Sequence, residues 1–194
     1  MRAAVIVAER SGGRLDPPAL CVLDEAANVC RISDLPDLYS HLGSRGVIPM
    51  TILQSYRQGQ RCWGDAGMDA LYSAATIKII GSGIDDADFA DRLSRQVGDH
   101  DVQTTSVSTS EGGKSTSVSM RTERILPPDA IRALPKGKAL LLATGIRVAM
   151  LNLKPWYKEP SAEVVGPASA RATKAITERA LAKSIGQDDL GLSA

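Results

Sequence analysis

The sequence predicts an α/β fold: a mostly parallel sheet with flanking helices and an antiparallel pair at one edge. Three observations carry that prediction. Ala19–Leu23 is an unbroken apolar run preceded by Pro17 and Pro18, the pattern of a strand buried on both faces. Leu35, Leu38, Tyr39 and Leu42 then recur at helical spacing before a second apolar run, Val47–Leu53. Strand, crossover helix and strand make a βαβ unit, whose strands are parallel. Ala139–Ala143 and Ile146–Leu153 read as two strands around Thr144-Gly145, an antiparallel pair at the sheet edge.

The remaining elements follow in chain order. Residues 3–8 suit a strand or the last turns of a helix, closed by Ser11-Gly12-Gly13. Residues 26–34 are a loop. Ser33 or Asp34 can cap the next helix, Pro36 fits its first turn, and Gly43 and Gly46 end it. Pro49 has no N–H to give a ladder, so the second strand is expected to start at Met50 and to end at Gln54-Ser55. A helix over 64–75 turns Met68, Leu71 and Tyr72 inward, and Ile77–Ile80 is a short strand. Asp85 or Asp86 can cap a helix that runs to Val97. Residues 102–119 are rich in Ser and Thr and predict a mobile hairpin or loop. Pro127-Pro128-Asp129 opens a short helix to Leu134. The folded region is thus 1–158, and 159–194 is a polar, Ala-rich tail, disordered or partly helical.

Composition excludes several function classes. The formal net charge is +1, so no global field draws the chain to nucleic acid or an anionic membrane, and any DNA contact must be local. Three cysteines without a CxxC pair argue against a zinc site and for a reducing compartment. No apolar run approaches a membrane span, and Met1–Arg10 is too short and too charged for a signal peptide. The expected setting is cytoplasmic.

The chemistry concentrates at strand ends. Asp24-Glu25 follows the first buried strand at once, and Gln54 ends the second. Parallel strands put their carboxyl ends on one rim, where open α/β sheets bind ligands, so two acids and an amide should meet there. Such a pair suits a bound Mg²⁺ and an attacking water. Gly112-Gly113-Lys114-Ser115-Thr116 contains Gly-Lys-Ser, but a phosphate loop needs a glycine at 108, where Ser108 stands, and a helix after it. A flexible loop is the better reading. His41 and His100 have no metal-site partners in sequence, and Trp63 and Trp156 fit packing roles better than base stacking.

Leu23-Asp24-Glu25-Ala26-Ala27-Asn28, Asp34-Leu35-Pro36-Asp37-Leu38, Gly43-Ser44-Arg45-Gly46 and Leu53-Gln54-Ser55 resemble the TraG/TraD family of type IV secretion coupling proteins. These are conjugative DNA-transfer motors related to FtsK and HerA. The stretch 134–153 also resembles the end of that family's motor domain, and the likeness covers about 15–157. It implies the C-terminal part of a RecA-like P-loop NTPase domain without its Walker A.

Residue by residue, the resemblance implies that Asp24 acts on Mg²⁺ and that Glu25 orients or deprotonates the attacking water. Gln54 matches a sensor of the γ-phosphate. Arg45 is the candidate finger for a neighbouring subunit, although the family's earlier arginine slot holds Gly43 here. Arg57 and Arg61 are candidates for charge facing DNA. ATP and Mg²⁺ are the implied cofactors of the complete motor, with little binding or turnover expected of this chain alone. Implied partners are DNA, the relaxase and its relaxosome, and secretion-channel components, in a hexamer. The alternative is a non-enzymatic docking module for those same proteins.

Overall fold

The computed structural model describes residues 1–110 and 113–188, and side chains at 108–115 and from 181 onward lie outside that description. The chain divides into two compact units, Met1–Leu151 and a second beginning at Asn152.

The first unit opens with helix α1 (Arg2–Arg10), which settles the ambiguity at 3–8 in favour of helix. Strand β1 (Ala19–Leu23), helix α2 (Leu35–Leu42) and strand β2 (Val47–Thr51) form the expected βαβ unit, parallel and in register from Ala19 against Val47 to Leu23 against Thr51. β2 starts three residues before the predicted Met50. Pro49 sits opposite Cys21, and β2 pairs only with β1 among the described residues, so its missing N–H removes no bond from a second neighbour.

The expectation that β1 is buried on both faces is corrected. Its residues alternate, with Leu20 59% and Val22 54% exposed while Leu23 is buried. Helices cover one face only: Leu23, Leu35, Met68 and Leu71 share a core cluster. Ile48 and Met50 of β2 are exposed likewise.

Helix α3 (Tyr56–Ala74) begins well before the predicted 64. It is two helical arms broken at Gly64, whose φ of 71° and ψ of 170° are not helical. The Tyr56 hydroxyl donates to Asp69, 13 residues on. In a straight helix these residues would stand about 20 Å apart, so the arms fold back on each other. Gly59 permits the close approach, since a Cβ there would come within 2.2 Å of the Met68 sulfur. A Cβ on Gly64 would meet nothing within 4 Å, so that glycine serves conformation rather than space.

Strand β3 (Ile77–Gly81) pairs antiparallel with β6 (Lys138–Ala143), and β7 (Ala149–Asn152) lies beyond β6 in the same sheet. The two predicted edge strands are therefore neighbours. The α/β class stands, with β1–β2 parallel and β3–β6 and β4–β5 antiparallel. Helix α4 (Ala87–Val97) is capped by Asp86 as the sequence allowed, and it packs with α5 (Pro128–Arg132) on β6 through Leu93, Ile131, Leu140 and Leu142.

Of the two readings of 102–119, hairpin or loop, the structure has the hairpin. β4 (Asp99–Ser110) pairs antiparallel with β5 (Gly113–Arg124) along its whole length. Thr and Val are β-branched and favour strand geometry even where nothing apolar marks a buried face. Gly112 of the Gly-Lys-Ser stretch lies outside the described residues, and a strand, not a helix, follows it.

In the second unit a 3-10 turn (Trp156–Lys158) leads to α6 (Ala162–Asp188). The predicted tail is thus helical over most of its length. Its residues to 180 stay almost wholly exposed, as its Ala-rich, unpatterned sequence requires. No helix among the described residues is long and apolar enough to cross a membrane.

Replacing Gly64 by alanine should lower stability by about 1–2 kcal/mol, because an L side chain is strained at this positive φ. Gly64→Asn should lose as much, since φ 71° with ψ 170° lies outside the left-handed helical region that asparagine tolerates and is open essentially to glycine alone. Urea unfolding of the three proteins would measure both losses.

Candidate functional site at the carboxyl rim of β1 and β2

The parallel register sets the site. After Leu23 and Thr51 the ladder continues into the loops, with Ile52 N donating to Leu23 O at 3.0 Å and Ala26 N to Ile52 O at 3.1 Å. The two strand ends are thereby tied together, and the residues that follow them face one another.

Gln54 Nε2 donates to Glu25 Oε1 at 3.1 Å. Asn28 Nδ2 donates to the other carboxylate oxygen, Oε2, at 3.4 Å. Glu25 therefore sits between two side-chain amides. Its φ of 45° makes it the one non-glycine residue with positive φ among those described, an uncommon conformation that the surrounding loop must hold. Asp24 is exposed beside it, and its Oδ1 accepts from Glu25 N at 3.1 Å. Glu25 and Gln54 thus meet as expected, and Asp24 stands next to them in the chain, bonded to the Glu25 backbone.

Arg45 does not join them. It precedes β2, at the opposite end of the parallel pair, where Nη1 lies 3.3 Å from Glu9 Oε1 of α1.

Two supports of Gln54 were not read from sequence. Ser55 caps α3, its Oγ accepting from Gln58 N at 3.1 Å. Gln58 Oε1 accepts from Gln54 N at 3.0 Å. Ser-x-x-Gln is the capping-box signal, here reaching one residue further back and fixing the Gln54 backbone.

Arg57 and Arg61 line a cleft of about 610 Å³ between α3 and α4. Arg57 Nε lies 2.6 Å from Asp86 Oδ2, and Nη2 lies 3.3 Å from Oδ1. This fork raises the Arg57 pKa and lowers that of Asp86. On the same wall Arg92 Nη1 donates to Asp69 Oδ1 at 2.7 Å and to the Tyr56 hydroxyl at 2.8 Å. Its guanidinium lies 5.3 Å from the Tyr56 ring centre and 4.6 Å from that of Tyr72. With Asp65 and Asp88 also on the lining, carboxylates outnumber guanidiniums, so the cleft offers DNA phosphates no net positive field. Trp63 Nε1 donates to Ile32 O at 2.8 Å, the packing role expected of it.

Among the described residues no cluster of three or more His, Cys, Asp or Glu is placed to hold a metal ion by itself. A single exposed carboxylate with a neighbour at a strand end still fits Mg²⁺, which commonly takes one or two carboxylates and completes its shell with water and phosphate oxygens.

The sequence family described as the TraM recognition site of TraD and TraG matches residues 18–136. No curated protein matches the chain. Among solved structures, the unbound monoclinic form of the bacterial conjugative coupling protein TrwBdeltaN70 matches with TM-score 0.59 and 19% identity, over 78% of this chain and 36% of that one. The coupling protein TrwB with the non-hydrolysable GTP analogue GDPNP gives TM-score 0.56 at 18% identity, over 78% and 35%. TrwB with ADP and Mg²⁺ gives 0.54 at 20%, over 71% and 30%. The chain spans about a third of the length of these structures. At such identity the likeness shows the fold alone, in keeping with the α/β class expected from the sequence.

Tyr56 provides a pH test of the cleft. Burial, and then its bond to Asp69, push its pKa from 10.0 up to about 12. A raised folded-state value means its contribution to stability is full below about pH 10 and lost as pH rises through about 12. Spectrophotometric titration should show a last tyrosinate step near that upper value, absent in Tyr56→Phe. The variant's stability should also fall less steeply across that range.

Proposed function

The chain belongs to the family described as the TraM recognition site of TraD and TraG, and from that membership we propose that it is part of a conjugative coupling protein. In that reading it supplies the Walker B and sensor side of a nucleotide site in a DNA-translocating ATPase. The observation that carries the reading is the 3.1 Å bond between Gln54 and Glu25 at a shared strand rim. It places an amide that can sense a phosphate against a carboxylate that can act on water.

Each residue has a role in this proposal. Asp24 would hold Mg²⁺ through water, and the ion would neutralise phosphate charge. Glu25 would orient or deprotonate the attacking water. Gln54, bonded to Glu25 without nucleotide, would exchange that partner for the γ-phosphate. Arg45, at the far end of β2, would serve a neighbouring subunit's nucleotide in a hexamer. The phosphate loop would come from a segment other than residues 1–194. The uncovered apolar residues of β1 and β2 support this, because a layered α/β sheet needs a covering layer on its second face. Work on the cytoplasmic side of a membrane, with relaxosome and secretion-channel partners, belongs to the same proposal.

The family description also favours a second reading, a docking module that recognises relaxosome proteins without hydrolysis. One experiment separates them. The chain alone with Mg²⁺ and ATP should show no turnover. Joined to the remaining two-thirds of a coupling protein of this family, it should hydrolyse ATP, and Glu25→Gln should cut kcat by about 100-fold or more. Turnover indifferent to Glu25→Gln would defeat the catalytic reading and leave the docking one.

A further inference from the structure

The first arm of α3 occupies an unusual mechanical position. It starts immediately after Gln54, whose backbone N–H it holds through Gln58 at 3.0 Å. It ends at Gly64, where the helix breaks beside Trp63, which is anchored by its Nε1 bond to Ile32 O at 2.8 Å and by packing on the core cluster. Between those points two polar ties join it to α4: Arg57 forks onto Asp86, and the Tyr56 hydroxyl accepts from Arg92 at 2.8 Å. Asp86 is itself the cap of α4, accepting from Asp88 N at 3.1 Å and Phe89 N at 3.3 Å. One carboxylate therefore terminates a helix and grips the neighbouring arm. Tyr56, at the arm's start, stacks on Phe89 of α4 with ring centres 4.7 Å apart.

We infer that residues 56–63 are a lever, hinged at Gly64, that couples the position of Gln54 to α4 through the Arg57–Asp86 fork, with Gln58 as the positioning residue for Gln54. Any event that draws the Gln54 side chain away from Glu25 pulls on a backbone that Gln58 ties to the arm. The arm carries Arg57 and Tyr56 with it, so the pull reaches the α4 cap and the aromatic stack. The path consists of hydrogen bonds and ring contacts on one short rigid piece, which is the kind of element that can take two discrete positions. The inference rests on the proposed nucleotide site only for what displaces Gln54, and the mechanics stand apart from it.

The test uses the whole chain without nucleotide. Amide hydrogen exchange and side-chain amide NMR signals are compared in the chain, in Arg57→Ala and in Arg95→Ala. The last removes another arginine–aspartate pair on α4, Arg95 with Asp91, without touching the arm. Arg57→Ala should speed exchange across 56–63 by about tenfold or more and shift the Gln54 side-chain amide signal, while Arg95→Ala leaves both unchanged. Coupling is reciprocal, so Gln54→Ala should move the backbone signals of Asp88 and Phe89. Should Arg57→Ala fail to fold, Arg57→Lys, which keeps the charge but loses the fork, serves the same comparison. A Gln54 signal that responds to Arg57 variants no more than to Arg95→Ala overturns the lever. Loss of the lever with hydrolysis still dependent on Glu25 leaves the proposed function intact. The lever present without any such hydrolysis overturns the nucleotide reading alone.

Discussion

The parallel register of β1 on β2 is the constraint on which the site depends. Leu23 opposite Thr51 brings both strands to an end at the same level, and two further backbone bonds carry the pairing into the loops. Glu25 and Gln54 can then touch although they lie 29 residues apart. A slip of one residue would turn every side chain to the other face. Leu23 would leave its contacts with Leu35, Met68 and Leu71, and Leu20 or Val22 positions would enter the core in its place. The hydrophobic cluster beneath the sheet thus fixes the polar geometry above its rim. Burial of one leucine and the meeting of a carboxylate with an amide have a single cause.

The second support of the site is built differently. Gln54 is held by a side chain of the helix that follows it, not by the core. That helix reverses at Gly64 and lies back on itself through Gly59 against Met68 and Tyr56 against Asp69. The rim therefore has one wall anchored in the buried cluster and another attached to a short arm. The arm is also tied to α4 through Arg57 on Asp86 and Tyr56 on Phe89, and its far end is fixed by Trp63 on Ile32. A carboxylate set on a fixed strand end and an amide set on an arm with a break behind it differ in how far each can move.

Much of this was legible in the residues. The βαβ unit followed from Ala19–Leu23, the Leu35–Leu42 periodicity and Val47–Leu53, and with it the convergence of Glu25 and Gln54. Asp86 was readable as a cap because a short carboxylate before an amphipathic helix has that use. The first arm of α3 was not, because Arg57-Gln58-Gly59-Gln60-Arg61 carries neither an apolar stripe nor helix-favouring glycine-free spacing. Only Ser55 and Gln58 marked its start. The β4–β5 ribbon was read only as one of two alternatives, hairpin or loop, because its Ser residues favour loops while its β-branched Thr and Val favour strands. The one-sided exposure of β1 could not be read at all, since an unbroken apolar run says that both faces suit burial, not that both are covered here.

That last difference bears on how the site is completed. Exposure of polar residues along α6 is an ordinary state for a helix with no apolar stripe. Exposure of Leu20, Val22, Ile48 and Met50 on adjacent, paired strands is another matter, because contiguous apolar surface of that kind marks a face that meets something. These residues stand on the same two strands whose ends carry Asp24, Glu25 and Gln54. Whatever segment covers them is delivered within reach of the rim, since strands of five residues are only about 17 Å long.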